Sequence, residues 1–182
     1  MRIVSLKLLL GPEQIAARIR GLGEELNLAY EGTPLVMICV LKGSCLFFAD
    51  LFRQMKVRPE MDFVRVASYG GGQNPQNIRL TKDVEVSLKD RHVLLVDDIV
   101  DTGRTLEFLV RHLRARGALS LRVAALLDKH ERREADVIVD FCGFALDAGF
   151  IVGYGLDYAE QYRELPGIYE AVIEDQNEHK GA

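Results

Sequence analysis

Short, continuous apolar runs alternate with amphipathic helical patterns in this chain, and this alternation most limits how it can fold. The run LVMICVL at residues 35–41 leads into a helical pattern from Ser44 to Met55, and the run from His92 to Asp97 leads into another from Thr105 to Arg116. Strands that are apolar throughout are buried on both faces, and the helices between them serve as crossover connections. We therefore expect an α/β fold with a mostly parallel twisted sheet flanked by helices. Ligands of such sheets bind beyond the carboxyl ends of the strands.

Other parts of the chain carry weaker patterns of the same kinds. A first helix is predicted from Pro12, which suits the first helical position and is followed by apolar residues at intervals of three and four. The stretch GGGQNP at residues 70–75 is too rich in Gly, Asn and Pro for regular structure, so we expect a mobile loop there. Further strands are predicted at Met61–Tyr69, Leu121–Leu127, Val137–Phe141 and Phe150–Tyr154.

Length and charge exclude several classes of protein. A chain of 182 residues with 48% hydrophobic residues is long enough for one domain with a sizeable core. The net charge of -4 gives no general attraction to nucleic acid or to anionic membranes. The N-terminal segment lacks the pattern of a signal peptide, and no apolar run approaches the ~20 residues that span a bilayer. We expect a cytoplasmic protein whose three cysteines are buried, reduced thiols.

The segment VLLVDDIVDTGRT at residues 93–105 carries the chemistry. Asp97 and Asp98 come at the end of a buried strand, and Asp101 lies in the turn before a helix. The residues from Thr102 to Thr105 offer consecutive backbone amides and two hydroxyls at the start of that helix, which suits a phosphate group. Carboxylates accept hydrogen bonds from sugar hydroxyls and bind hard cations. The segment therefore predicts a site for a ribose phosphate and a cation.

Two other interpretations of the acidic cluster are weaker. One Asp could simply cap the following helix, but three within five residues create repulsion that needs a cation or a donor-rich ligand. A response-regulator receiver domain also has an Asp pair after an apolar strand. Such a domain needs a phosphoacceptor Asp followed by a Lys at a strand end, and no Lys follows Asp140 until Lys180.

The same segment resembles the phosphoribosyl pyrophosphate motif of type I phosphoribosyltransferases, and its surroundings resemble the hypoxanthine-guanine branch of that family. The other matching segments, in family order, are LKGS at 41–44, ASYG at 67–70, LLDK at 126–129 and FIVGYGLDYAEQYRELP at 150–166. The resemblance covers roughly residues 13–170. The family motif usually begins with Glu-Asp, whereas this chain has Asp97-Asp98.

The resemblance implies a role for each site residue. The ribose and its 5′-phosphate are bound by Asp97, Asp98, Asp101, Thr102, Gly103, Arg104 and Thr105. The pyrophosphate is bound by Lys42, Gly43 and Arg163, after a cis peptide between Leu41 and Lys42. The purine is bound by Lys129, Phe150, Ile151 and Asp157. Magnesium is held by Asp97, Asp98 and Asp157, the lid contains Ser68 and Tyr69, and the general base is Asp101.

The resemblance also implies a fold and a reaction. One domain spans residues 1–182, with a core at about 30–145 and a small hood formed by about 1–15 and 146–175. The implied reaction is magnesium-dependent transfer of the 5-phosphoribosyl group from phosphoribosyl pyrophosphate to N9 of hypoxanthine or guanine, in purine salvage. It gives IMP or GMP and pyrophosphate. Because Lys129 is a donor, a 6-oxopurine is favoured over adenine.

Two alternative functions are disfavoured by the sequence, and the resemblance implies an assembly of several subunits. This fold also serves in nucleotide-sensing regulators, which would need a DNA-binding domain or a basic face. A phosphoribosyltransferase for another base, such as a pyrimidine, is disfavoured by Lys129 and by the segment at 150–158. The family resemblance implies a homodimer or a homotetramer.

Overall fold

A computed structural model describes residues 2–68 and 78–174 of the chain. Its elements along the chain are β1 (Arg2–Leu10), α1 (Pro12–Ala29), β2 (Leu35–Leu41), α2 (Cys45–Arg53), β3 (Glu60–Ser68), β4 (Ile78–Lys82), β5 (His92–Val100), α3 (Arg104–Arg114), β6 (Ser120–Lys129), β7 (Phe141–Leu146), β8 (Ile151–Val152) and β9 (Ile168–Glu174).

The main sheet has six strands in the order β4-β3-β2-β5-β6-β7. All neighbours pair in parallel except β3 and β4, which are antiparallel. The predicted α/β class with a mostly parallel sheet is therefore confirmed. The crossovers from β2 and from β5 run to opposite sides of the sheet, so β2 and β5 flank the point where the strand order reverses. Such a point opens a crevice at the carboxyl ends of the strands.

Side chains alternate between the two faces of the central strands and build two cores. On one face Met37 and Cys39 of β2 pack with the buried sides of α1 and α2. On the other face Val36 and Ile38 pack with the apolar side of α3. Burial on both faces explains why these strands are apolar at every position.

A second, smaller sheet pairs the two ends of the described chain. β9 lies between β1 and β8, and both pairings are antiparallel. The small hood implied by the resemblance corresponds to this sheet. Within residues 2–68 and 78–174, no helix is long and apolar enough to cross a membrane.

Several sequence predictions differ from the structure. The predicted strand Val137–Phe141 is wrong, because only Phe141 belongs to a strand, as the first residue of β7. The backbone before it is engaged elsewhere, since the amide of Ala135 donates to Thr102 and the carbonyl of Val137 accepts from Arg133. The predicted strand Phe150–Tyr154 is reduced to the two residues of β8. Strands β1, β4 and β9 were not predicted.

Asp62, near the start of β3, binds the backbone of the segment that follows β4 through hydrogen bonds. Its buried carboxylate accepts hydrogen bonds from the amides of Phe63 at 2.6 Å, Glu85 at 2.6 Å and Val86 at 3.0 Å. Burial disfavours the charged form, but these amides and the charge of Lys82 outweigh it and lower the pKa of Asp62 below its ordinary value of 3.8. A carboxylate with a lowered pKa stabilises the fold above its ordinary pKa.

Asp62→Asn should therefore lower the free energy of unfolding at pH 7 by about 1–3 kcal/mol, because an amide group accepts fewer hydrogen bonds from these backbone donors. The stability that the Asp62 carboxylate contributes is present above pH 3.8. It is lost as the pH falls below that value and through the lowered pKa of the folded state. The difference between wild type and variant should therefore shrink in that range. Urea unfolding followed by circular dichroism at several pH values measures it, with the exposed Glu24→Gln as control. A difference that does not change with pH would contradict this account.

Candidate active site

The acid pair Asp97-Asp98 lies in the last part of β5, which continues to Val100 rather than ending at Asp97. Asp97 is buried and accepts a hydrogen bond from the Asp98 amide at 3.1 Å, while Asp98 accepts one from the Ile99 amide at 2.9 Å. Burial, reinforced by the neighbouring Asp98 charge, raises the pKa of Asp97 well above its ordinary value. Burial also raises the pKa of Asp98. A bound cation or hydroxyl donors would favour the ionised forms of both.

The chemistry of this pair fits a magnesium ion that is shared with a substrate. Mg²⁺ keeps several waters and is usually bound by one or two carboxylates together with substrate oxygens. Among the residues that the structure describes, no three His, Cys, Asp or Glu side chains gather into a metal site made by protein alone. Asp157, the third predicted ligand, instead pairs with Arg163 at 2.7 Å.

A cavity of about 310 Å³ opens at the ends of β2 and β5. Predicted site residues lining it are Lys42, Gly43, Asp97, Asp98, Asp101, Thr102, Gly103 and Thr105. Gly103 has a φ of +80° and precedes the first residue of α3. The first amides of a helix have no helical partners, so this end of the cavity suits an anion. Arg104, also predicted there, pairs with Glu134 and does not line the cavity.

Gly43 lets three segments meet at the cavity. A Cβ atom at this position would lie 1.8 Å from Oδ2 of Asp98 and 3.4 Å from the carbonyl oxygen of Gly155. A Cβ atom on Gly155 would in turn lie 2.0 Å from the carbonyl oxygen of Gly43. The backbone of the turn after β2 therefore lies against both the Asp98 side chain of β5 and the backbone of the segment after β8. The peptide bond between Leu41 and Lys42 is cis, as the resemblance implied.

The two cations predicted for pyrophosphate meet at one carboxylate. Glu160 lies 2.6 Å from Nζ of Lys42 and 3.4 Å from the guanidinium of Arg163. The hydrogen bond from Lys42 lowers the pKa of Glu160. Arg163 also donates to the carbonyl of Gly155 at 2.6 Å. Sequence reasoning missed Glu160, although it lies inside the matching segment at 150–166.

Asp101 and Lys129 approach each other where β5 and β6 end. Lys129 is 6% exposed, and its Nζ lies 3.7 Å from Oδ1 of Asp101 and 3.3 Å from Glu131. Oδ2 of Asp101 lies 3.4 Å from Arg132. Oδ1 of Asp101 is buried and has no hydrogen-bond partner among residues 2–68 and 78–174. A buried polar atom without a partner is uncommon in folded proteins and is consistent with a ligand position.

The remaining predicted residues that the structure describes lie outside the lining of the cavity. Phe150, before β8, is 40% exposed and meets the ring of Tyr158 edge-on, with centroids 5.5 Å apart. Ile151 is buried in β8. Ser68 is the last residue of β3. Tyr69, the other lid residue, and the predicted loop at 70–75 lie outside the described residues.

Comparison with known proteins agrees with this geometry. A family model described as the phosphoribosyl transferase domain matches residues 8–159. The hypoxanthine-guanine phosphoribosyltransferase of Bacillus subtilis (strain 168) is 43% identical over 163 residues, which are 89% of this chain and 91% of that protein. The hypoxanthine phosphoribosyltransferase of Escherichia coli (strain K12) is 40% identical over 166 residues, which are 90% of this chain and 93% of that protein.

A solved structure has the same fold. The crystal structure of a hypoxanthine phosphoribosyltransferase from Staphylococcus aureus aligns with a TM-score of 0.88 at 37% identity, covering 93% of this chain and 92% of that one. The similarity therefore extends over both sheets and is not confined to the motif at 93–105. The chain belongs to the phosphoribosyltransferase family, in the branch of the hypoxanthine-guanine phosphoribosyltransferases.

Proposed function

We propose that this protein is a purine salvage enzyme. It transfers the 5-phosphoribosyl group from phosphoribosyl pyrophosphate to N9 of hypoxanthine or guanine and releases IMP or GMP with pyrophosphate. The observation that carries the proposal is the pairing of Asp101 with Lys129. A buried carboxylate oxygen that has no hydrogen-bond partner in the described part of the chain lies 3.7 Å from a buried ammonium, beside a cavity suited to phosphate.

The pairing of Asp101 with Lys129 suits one edge of a 6-oxopurine. N7 of the attacking purine carries a proton that Asp101 can accept, and the neighbouring O6 is an acceptor for Lys129. Adenine presents a donating amino group at that position and would face the ammonium with a donor. Phe150 would stack on the base, while the backbone near Ile151 and Asp157 would accept from the 2-amino group of guanine. Xanthine, with an oxygen there, ranks below both.

The other end of the cavity suits the ribose donor. The amides and hydroxyls of residues 101–105 would bind the 5′-phosphate, and Asp97 and Asp98 would accept hydrogen bonds from the ribose hydroxyls. When bound, magnesium would neutralise charge on the donor's pyrophosphate. The residues proposed to hold it are Asp97, Asp98 and Asp157.

The departing pyrophosphate would be stabilised by the chain's own cations. Negative charge develops on its oxygens as the bond to the anomeric carbon breaks, and fixed cations nearby stabilise that charge. Lys42 and Arg163 supply these cations, and the Gly43 backbone lies beside them. Both side chains already pair with carboxylates, so the donor replaces these ion pairs when it binds. The segment with Ser68 and Tyr69 is proposed to cover the site and exclude water.

The proposal extends to the domain organisation, the assembly state and the location of the protein. Residues 1–182 would act as one domain, with the core and hood boundaries predicted from the resemblance, and the pairing of β1 with β9 supports this. We propose a cytoplasmic homodimer or homotetramer, and the exposed Val4, Leu8 and Val172 on β1 and β9 are consistent with a subunit contact. The net charge of -4 supports no role for nucleic acid or membranes.

A substrate panel tests the proposed reaction. Purified protein with magnesium and phosphoribosyl pyrophosphate should turn over hypoxanthine and guanine, xanthine more slowly, and adenine and uracil not measurably, because Lys129 requires an acceptor at position 6. Absorbance changes on nucleotide formation give kcat/KM for each base. Turnover of uracil alone would rule out the purine assignment. Absence of turnover together with tight RNA or DNA binding would favour a regulator.

Asp101→Asn tests the general base. An amide cannot accept the N7 proton, so kcat for hypoxanthine should fall by ~10²- to 10⁴-fold. The backbone amides around the 5′-phosphate are unchanged, so the Kd for phosphoribosyl pyrophosphate from calorimetry should stay near the wild-type value. A kcat equal to that of wild type would remove Asp101 from this role.

Gly43→Ala tests the backbone contact at the pyrophosphate position. The added Cβ meets Oδ2 of Asp98 and forces either the Asp98 carboxylate or the turn after β2 to move. Since a shift of about 1 Å can cost ~10²-fold in rate, kcat/KM for phosphoribosyl pyrophosphate should fall steeply. Gly21→Ala in α1 is the matched control, because its nearest neighbour is the end of the Arg18 side chain. Equal activity of both variants would mean that this close approach is not needed.

A further inference from the structure

Arg133 lies in the irregular segment between β6 and β7 and is largely buried, with 20% of its side chain exposed. Its guanidinium donates to the carbonyl oxygens of Asp101 at 3.1 Å, Lys129 at 3.2 Å, Val100 at 3.3 Å and Val137 at 3.4 Å. It also pairs with the carboxylate of Asp128. Sequence reasoning did not single it out, because it lies in the charged run HERREAD, which is typical of a solvated loop.

These acceptors belong to the ends of two neighbouring strands. Val100 and Asp128 are register partners, and they are the last pair of the parallel ladder between β5 and β6. Asp101 and Lys129 are the next residue on each chain. The guanidinium therefore continues the connection between the two strands at the point where the backbone ladder ends.

The residues after Arg133 support the phosphate-binding segment. The amides of Glu134 and Ala135 both donate to the carbonyl oxygen of Thr102 at 3.0 Å. A Cβ atom on Gly103 would lie 3.2 Å from Cδ of Arg133. The segment 133–135 is thus packed directly against residues 102 and 103.

Two of the carbonyls that accept from Arg133 belong to Asp101 and Lys129, the residues proposed to contact the purine. The side chains of these residues lie 3.7 Å apart, and both residues come directly after the last register pair between β5 and β6. One planar guanidinium donates to both carbonyls, so it fixes the two backbones relative to each other. Lysine cannot replace it, because an ammonium is a point donor that cannot span several separated carbonyls.

We propose that Arg133 is a positioning residue that sets the placement of Asp101 relative to Lys129 and thereby the rate of purine transfer. The inference rests on the proposed function, since it takes Asp101 as the base and Lys129 as the group that binds O6. Arg133 does not line the cavity and acts through the two residues that it holds.

Arg133→Lys tests the inference. We expect kcat for hypoxanthine to fall by roughly tenfold to a hundredfold, as a small misplacement of reacting groups does. The Kd for phosphoribosyl pyrophosphate from calorimetry should change much less, because the variant keeps the Glu134 and Ala135 amides that hold Thr102 in the phosphate-binding segment. Arg122→Lys is the matched control, since Arg122 lies at the opposite end of β6 over the rings of Tyr30 and Phe141. It should keep the wild-type kcat.

A second control separates positioning from loss of stability. Leu113→Ala removes a fully buried side chain of α3 and should lower the unfolding midpoint without changing kcat at temperatures where the protein is folded. Wild-type kcat in Arg133→Lys would overturn the proposal. The proposal would also be overturned if Leu113→Ala, at a similar loss of stability, lost as much activity as Arg133→Lys.

Asp128→Asn decides the question if Arg133→Lys does not fold. It keeps the arginine but removes its charged partner, so we expect a smaller fall in kcat in the same direction, and an unchanged kcat would overturn the proposal. If the proposed function itself is wrong, the wild-type protein gives a different result from the one expected here. In that case the wild-type protein itself turns over no purine, and the positioning role falls with it.

Discussion

The parallel pairing of β2 with β5 is the constraint on which the rest of the site depends. Five residue pairs, from Leu35 with His92 to Cys39 with Val96, fix the register of two strands that are buried on both faces. The register brings the turn after β2 against the acids of β5. Because Gly43 has no side chain, its backbone can approach Asp98 directly. A register shift of one residue would reverse the faces of a whole strand and expose its apolar side chains, so the core itself fixes the site geometry.

Three cationic side chains of the site are each paired with a carboxylate. Lys42 and Arg163 pair with Glu160, and Lys129 pairs with Asp101. The pair of Lys42 with Glu160 is exposed, and exposed ion pairs contribute little stability, so a phosphate can replace this partner at small cost. The acid pair Asp97-Asp98 is different, because burial and mutual repulsion raise the pKa of Asp97. This part of the site is the one that gains most from a cation.

The segment between β6 and β7 shows how an irregular stretch can be well determined. Its backbone forms no ladder, yet the amides of Glu134 and Ala135 and the guanidinium of Arg133 are all hydrogen-bonded to residues near the phosphate position. These bonds tie the ends of β5 and β6 to the segment that follows. A segment of this kind holds the site without taking part in either sheet.

The sequence by itself determined the central strands of the main sheet, the helices that pack on them and the chemistry at the carboxyl ends of these strands. Apolar runs fixed β2 and β5, helical periodicity fixed α1 to α3, and the acids and glycine of residues 93–105 indicated a ribose-phosphate site. These features depend on neighbours a few residues apart, which is what periodicity and motif spacing record. The resemblance to the family motifs then supplied the residues proposed to bind pyrophosphate and purine.

Only the tertiary structure decided how distant segments meet. β1 and β9 form strands because they pair with each other across most of the chain, and neither carries a decisive local pattern. Glu160 and Arg133 acquire their partners through contacts with residues far away or on other elements, including Lys42 and Asp101. The physical reason is that hydrogen bonds and ion pairs between separate segments depend on where the packed core places them, and sequence spacing carries no record of that placement.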